Sequence, residues 1–173
     1  MIIAYDDSVN SDIDQACYDE LSNSLRIEAV KCSSCKQVGF KVHSYYLRHL
    51  KRELHEEQAD DRILIKRVIC KNCRKTHAIL PKSIIPYSHV SLSDTVEIIE
   101  SMETDNNIKD KYWITMEDIR NIKRRFTLFW RQRLLSFNIS ISDDSLCELC
   151  FLNHRLQFMQ IRCQPVILIH ITT

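Results

Sequence analysis

Two Cys-x-x-Cys pairs, Cys32/Cys35 and Cys70/Cys73, are the residues of this chain best placed to do chemistry. Each pair can set two thiolates on one side of a tight turn. Four thiolates complete the tetrahedral shell that Zn²⁺ takes in a closed, structural site. Such a shell leaves no open position for water, so the chemistry is scaffolding and not the activation of a nucleophile. Metal binding would be coupled to folding of the segment that carries the thiolates. A dithiol redox pair needs only one such motif at the start of a helix; two pairs bracketing strand-like sequence favour the metal. Iron in the same four thiolates, as in a rubredoxin-like electron carrier, is the chemical rival.

Other constellations are weaker. Cys147, Cys150, His154 and Cys163 could supply a second ligand set. Phe151, Leu152, Leu156, Phe158 and Met159 surround them at helix-like spacing, and cysteine is often buried as a small apolar residue; they are not counted as a site. Cys17 has no partner nearby in sequence. His77 reads as a hydrogen-bonding strand residue, with a phosphate or base contact as the alternative. No Gly-rich phosphate loop, Gly-x-Ser-x-Gly or His-Glu-x-x-His motif occurs, and the chain is not expected to be an enzyme.

The segments around the cysteines must position them, and they read as strands. Ile63–Ile69 runs into Cys70, His77–Leu80 follows Cys73, and Phe40–Tyr46 alternates after Cys35. This is the layout of a zinc ribbon, in which two cysteine turns on β-hairpins meet at one metal. Between the strands, Arg48–Arg62 is polar enough to be an exposed hairpin loop or a short helix. Downstream, a helix is expected from Ser91 or Leu92 to Met102, then a polar break at 104–107. A stronger helix runs from Met116 to about Ser136, with Thr115 as N-cap and Glu117 and Asp118 in its first turn. Ile119, Ile122, Phe126, Phe129, Trp130 and Leu134 form its apolar stripe, with Phe126, Phe129 and Trp130 expected in the core. Upstream, a short helix fits about Asp14–Leu25, and near the other end 165–169 reads as a short strand.

Charge is segregated. The net charge of the 173 residues is +1, but residues 1–27 carry six acids against Arg26, while 28–88 carry thirteen Lys/Arg against six acids. No acid lies between Asp118 and Asp143. Lys71, Arg74 and Lys75 on the ribbon, and Arg120, Lys123, Arg124 and Arg131 on the long helix, are therefore candidate contacts for nucleic-acid phosphates. The alternatives stay open: charge compensation of four thiolates for the first group, a solvated helix face for the second. Hydrophobic residues make up 45%, enough for a packed core. One Gly and three Pro argue for helix outside the ribbon. Nothing has the length of a transmembrane helix, and the start has no basic region of a secretory signal. A cytoplasmic protein with reduced cysteines, not associated with a membrane, is expected.

The string Ile65–Pro81, with Ile85-Pro86-Tyr87 after it and Cys32-Ser33-Ser34-Cys35 and His43-Ser44-Tyr45 before it, resembles a family of bacterial zinc-ribbon proteins, mostly of unknown function. Their ribbon is similar to the N-terminal ribbon of insertion-sequence transposases. The resemblance covers roughly residues 30–90. It implies Zn²⁺ and double-stranded DNA, through a ribbon followed by a helix-turn-helix unit. It does not imply catalysis, because the residues after Phe137 are too few for a three-carboxylate catalytic domain. One departure stands out: ribbon turns often place Gly after the second Cys, and here Lys36 and Arg74 stand instead.

The expected architecture is α+β. An acidic arm (1–27) precedes a small antiparallel zinc ribbon (28–88), a helical, helix-turn-helix-like unit (89–137) and an apolar tail (138–173). The expected function is zinc-dependent DNA binding by a transposase-head-like protein or a regulator derived from one. A zinc-ribbon protein-interaction module is the alternative, and self-association is left open.

Overall fold

The computed structural model describes residues 2–5, 13–49, 62–101, 107–109, 114–160 and 167–170. Of the loop or short helix expected over Arg48–Arg62, residues 50–61 lie outside them, as do 104–106 of the expected break and Cys163. Arg48, His49 and Arg62 lie in strands, and Asn107 lies in a helical turn. The fold is α+β, and the chain divides into two compact units.

The first unit draws its described residues from 1–49, 62–84 and 164–173. It is built on a five-stranded sheet. In chain order the strands are β1 (Ile2–Tyr5), β2 (Phe40–His49), β3 (Arg62–Cys70), β4 (Thr76–Pro81) and β5 (Ile167–His170), with helix α1 (Gln15–Ser24) between β1 and β2. The sheet order is β2-β3-β4-β1-β5. The three strands β2, β3 and β4 are antiparallel, as the ribbon layout predicts. Strand β1, from the stretch expected as an arm, lies parallel to both β4 and β5. Strand β5 falls where 165–169 suggests one.

The β3 sequence is β-branched at Ile63, Ile65, Val68 and Ile69, which suits a pleated surface. Ile63, Ile65 and Val68 are buried, as are Phe40, Ile79 and Leu80. Strands β3 and β4 pair only from Arg67↔Ala78 to Ile69↔Thr76. Beyond Arg67, helix α1 takes over part of the bonding. Asp14 caps it by accepting from the Cys17 N–H at 2.7 Å. Its Tyr18 hydroxyl accepts from the Lys66 N–H at 2.7 Å and donates to the Ile79 carbonyl at 3.0 Å. Gln15 Oε1 accepts from the Leu64 N–H at 2.7 Å. The phenol thus bridges two strands that have stopped bonding each other. Lys66, only 7% exposed, donates from Nζ to the Ser22 carbonyl at 3.2 Å and to Asn23 Oδ1 at 2.5 Å. That cation sits where the negative end of the α1 dipole favours it, and burial lowers its pKa.

Tyr18→Phe keeps the packing and removes the bridge. It should orphan a buried N–H and a buried carbonyl at a cost of about 2–3 kcal/mol. Chemical denaturation checks the loss, and amide hydrogen exchange should accelerate at Lys66. An unchanged midpoint together with slow exchange at Lys66 would mean that β3 and β4 close the gap themselves.

The second unit contains the helices between residues 85 and 163. Helix α2 is Leu92–Glu100, capped by Ser91, whose hydroxyl accepts from the Asp94 N–H at 3.0 Å. Helix α3 is Met116–Arg125. Thr115 and Asp118 form a reciprocal capping box at its start. Burial opposes ionisation of Asp118, but the Thr115 hydrogen bonds and nearby His89 prevail and hold its carboxyl below the usual range. Helices α2 and α3 touch. Residues 101–115 separate them, more than the roughly three- or four-residue turn of a tight helix-turn-helix.

From α3 the chain continues through a π-helical turn, Phe126–Trp130, into α4, Arg131–Ser136. This corrects one expectation: Phe129 is not core but 42% exposed. A wide turn advances less around the axis per residue, so it carries Phe129 out of the stripe. It also brings Trp130 and Leu134 back over Ile119 and Ile122, and all four are buried. Phe126 is half-buried. Helix α5, Leu146–His154, ends at Arg155 in the left-handed conformation, φ 56°. No helix among the described residues is long and apolar enough to cross a membrane.

Candidate metal centre

Two backbone turns of one design build the site. In the first, the Lys36 N–H donates to the Cys32 carbonyl at 2.9 Å and the Cys32 N–H to the Gln37 carbonyl at 2.8 Å. In the second, the Arg74 N–H donates to the Cys70 carbonyl at 3.1 Å and the Cys70 N–H to the Lys75 carbonyl at 3.0 Å. The two turns are offset alike: cysteine, two residues, cysteine, then a residue at positive φ. That residue is Lys36 at 64° and Arg74 at 61°, each costing about 1–2 kcal/mol relative to ordinary backbone.

The β-ladder brings the turns together. Phe40 pairs with Cys70 at the start of β2. Gly39, just before it, has φ 106°, and its carbonyl accepts from the Lys71 N–H at 3.0 Å. A Cβ on Gly39 would stand 3.5 Å from Lys71 Cδ. The chain's one glycine therefore lies where the first cysteine turn hands over to the sheet.

The four sulfurs of Cys32, Cys35, Cys70 and Cys73 lie within 4.8 Å of one another. Cys32 and Cys73 Sγ are 3.7 Å apart, and Cys35 and Cys70 Sγ 3.6 Å. A tetrahedron with metal–sulfur bonds of about 2.3 Å has edges of about 3.8 Å. The donor set fits a divalent metal held by four thiolates, and Zn²⁺ and iron both suit such a shell.

The surroundings favour thiolate at two of the sulfurs. Burial opposes ionisation of Cys32, but hydrogen bonds from the Cys35 and Ser34 backbone outweigh it and lower its pKa. The Asn72 side chain and the Gln37 backbone lower Cys35 to about 6. Cys73 accepts from the Lys75 backbone, yet burial and the other three thiols hold it up at about 11. His77, on β4, places Nε2 3.7 Å from Cys32 Sγ and packs edge-on to Phe40 with centroids 5.2 Å apart. It is buried. The expected strand histidine thus acts as an outer support of a ligand. Asn72 is the contributor that sequence reasoning missed. Its signal was a short polar side chain between the cysteines of its own turn.

The other candidates fall into two sets. Lys71, Arg74 and Lys75 are exposed around the second cysteine turn of the first unit. In the second unit Arg120, Arg124 and Arg131 are exposed and Lys123 is half-buried. Arg124 also donates to Asn121 Oδ1 at 3.3 Å. Arg133 is turned to structural use, its guanidinium 5.3 Å from the Trp130 ring centroid. Cys147 and Cys150 are buried on α5, and burial pushes the Cys150 thiol up. His154 packs edge-on against Trp130 and Phe137. Among the described residues, the four ribbon cysteines are the one group close enough to hold a metal.

The chain matches no curated protein and no solved structure. Residues 32–120 match the family described as a domain of unknown function, DUF6431. That span begins at Cys32, the first cysteine of the cluster, includes both cysteine turns and β2 to β4, and ends in the first turns of α3. It covers just over half of the chain, and the protein belongs to this family.

Proposed function

We propose that the protein is a zinc-dependent DNA-binding protein, akin to a transposase head or a regulator derived from one, in which the metal is structural and no catalysis takes place. The carrying observation is exposed positive charge on a hydrogen-bonded cysteine turn and on a helical run. Lys71, Arg74 and Lys75 ring a cysteine turn, and Arg120, Arg124 and Arg131 project from a helical run without acids after Asp118. Backbone phosphates are the ligand such surfaces suit, since each neutralised phosphate releases condensed counterions. The resemblance of Ile65–Pro81 to bacterial zinc-ribbon proteins, whose ribbon is similar to that of transposases, supports the same reading. Zinc, when bound, would supply rigidity: it joins the two turns and fixes the spacing of the cations beside them.

The test is fluorescence anisotropy of a labelled duplex of about 25 base pairs with metal-loaded protein across a salt series. Affinity should fall with salt at a log–log slope near −0.9 per phosphate neutralised. Alanine at Arg120, Lys123, Arg124 and Arg131 together should flatten that slope by about one for each phosphate left without its cation. Metal-loaded protein without salt-dependent binding to duplex would end the proposal.

One observation favours a second reading, a protein-interaction module. Leu128, Phe129, Leu135 and Phe137 are all exposed in the second unit. Weak duplex binding alongside concentration-dependent dimerisation would select it.

A further inference from the structure

The cysteine turns share a property that metal binding does not require. A tetrathiolate shell is indifferent to the side chain that follows each second cysteine. Glycine would adopt φ near 60° there without a Cβ clash. Lys36 and Arg74 adopt it instead, at 64° and 61°, and both are exposed. The same module does use glycine at Gly39, where φ of 106° lies outside the left-handed well that side chains reach. Glycine thus stands where φ lies beyond the left-handed well, and a long cation where φ lies inside it. Of the six non-glycine residues with positive φ among those described, two occupy this equivalent position, and both are basic. Strained backbone of this kind persists only where the surrounding structure holds it, and it clusters at active sites and ligand clamps.

We propose that Lys36 and Arg74 form a paired phosphate-gripping site, one cation from each cysteine turn, that holds the backbone of duplex DNA. The proposal rests on the DNA-binding reading above and names where the ribbon makes its grip. Both backbones are pinned, the Lys36 N–H to the Cys32 carbonyl and the Arg74 N–H to the Cys70 carbonyl. A metal held by the four sulfurs, which lie within 4.8 Å of one another, would fix one turn against the other. On such a frame the backbone is already ordered, and only the side-chain rotamers remain to be fixed on binding. Lys71 and Lys75 flank Arg74 and extend the positive rim. The rival role for the pair is compensation of thiolate charge, which would make the cations necessary for keeping the metal.

The two roles separate in the full-length, metal-loaded protein. In the double variant Lys36→Gly, Arg74→Gly, metal content should stay at the wild-type ratio and the melting temperature should rise by roughly 2–5 °C, because strain is relieved. Duplex affinity at about 0.1 M salt should fall tenfold or more, and the log–log salt slope should flatten by about two. The double variant Lys36→Gln, Arg74→Gln keeps the strain and removes the charge. It should lose the same affinity with an unchanged melting temperature. Loss of metal from either variant would assign the pair to charge compensation. Wild-type affinity and slope in both variants, with the wild type binding duplex, would overturn this site and leave the DNA-binding reading intact. No duplex binding by the wild type would remove both.

Discussion

Serine in place of Cys70 and Cys73 is expected to strip the metal from the full chain and unfold the strands that it joins. Structural zinc in small domains contributes about 10–16 kcal/mol of apparent binding free energy, and that energy is folding energy. Here the ligands close turns that hold two chain segments in one ladder, with Phe40 opposite Cys70. Cys70 is fully buried, so a serine hydroxyl there would also lack water. The wild type should carry one metal per chain by elemental mass spectrometry, and the variant none. Amide resonances of β2, β3 and β4 should collapse to unfolded shifts. Colourless protein identifies zinc, and visible charge-transfer absorption identifies iron. A variant that keeps stoichiometric metal and its native amide spectrum would show that these thiolates do not hold the ion.

Trp130→Ala should be the most damaging single change in the helical unit, at about 3–5 kcal/mol. The indole is fully buried where the π-helical turn ends. Its Nε1–H donates to the Gln160 carbonyl at 3.2 Å. Phe158 packs edge-on at 5.4 Å between centroids and His154 at 6.0 Å. Removing the ring leaves a cavity, takes the indole donor from the Gln160 carbonyl and leaves the Arg133 guanidinium without its aromatic face. Trp130→Phe retains much of the packing and drops only the hydrogen bond, so it should cost about 1–2 kcal/mol. Urea denaturation followed by circular dichroism orders the two variants. Equal midpoints for alanine and phenylalanine would mean that the hydrogen bond, and not the ring, holds this core.

What could be read from the sequence was what depends on neighbours in the chain. The cysteine turns were legible because ligand type and a two-residue gap suffice to define them. The start of α3 was legible because Thr115 and Asp118 satisfy each other three residues apart. The departure from glycine at Lys36 and Arg74 was visible too, although only the backbone shows that both adopt the left-handed conformation. Phe129 was misplaced because apolar spacing presumes one constant helical pitch, and five residues here depart from it. The Tyr18 bridge could not be read at all. Nothing near Tyr18 announces that β3 and β4 stop bonding at Arg67↔Ala78, some fifty residues further on. Strands of four residues such as β1 and β5 carry too little alternation to declare their partners.

Strand β1 sets the order in which this sheet can assemble. Ile2 is bonded to Ile79 on one side and to Ile167 on the other. The β2, β3 and β4 pairings join segments that follow one another, so their loop-closure entropy is modest. The β1 pairings are among the most non-local that the chain contains, and contacts of this kind slow folding. During synthesis the cysteine-bearing hairpins can therefore close long before residue 167 exists. Until it does, β1 shows an open edge in what becomes the interior of the sheet. Unpaired edges invite pairing with other chains. A metal in the cysteine cluster would stabilise the early hairpins, but β1 gains its second described partner only when β5 arrives.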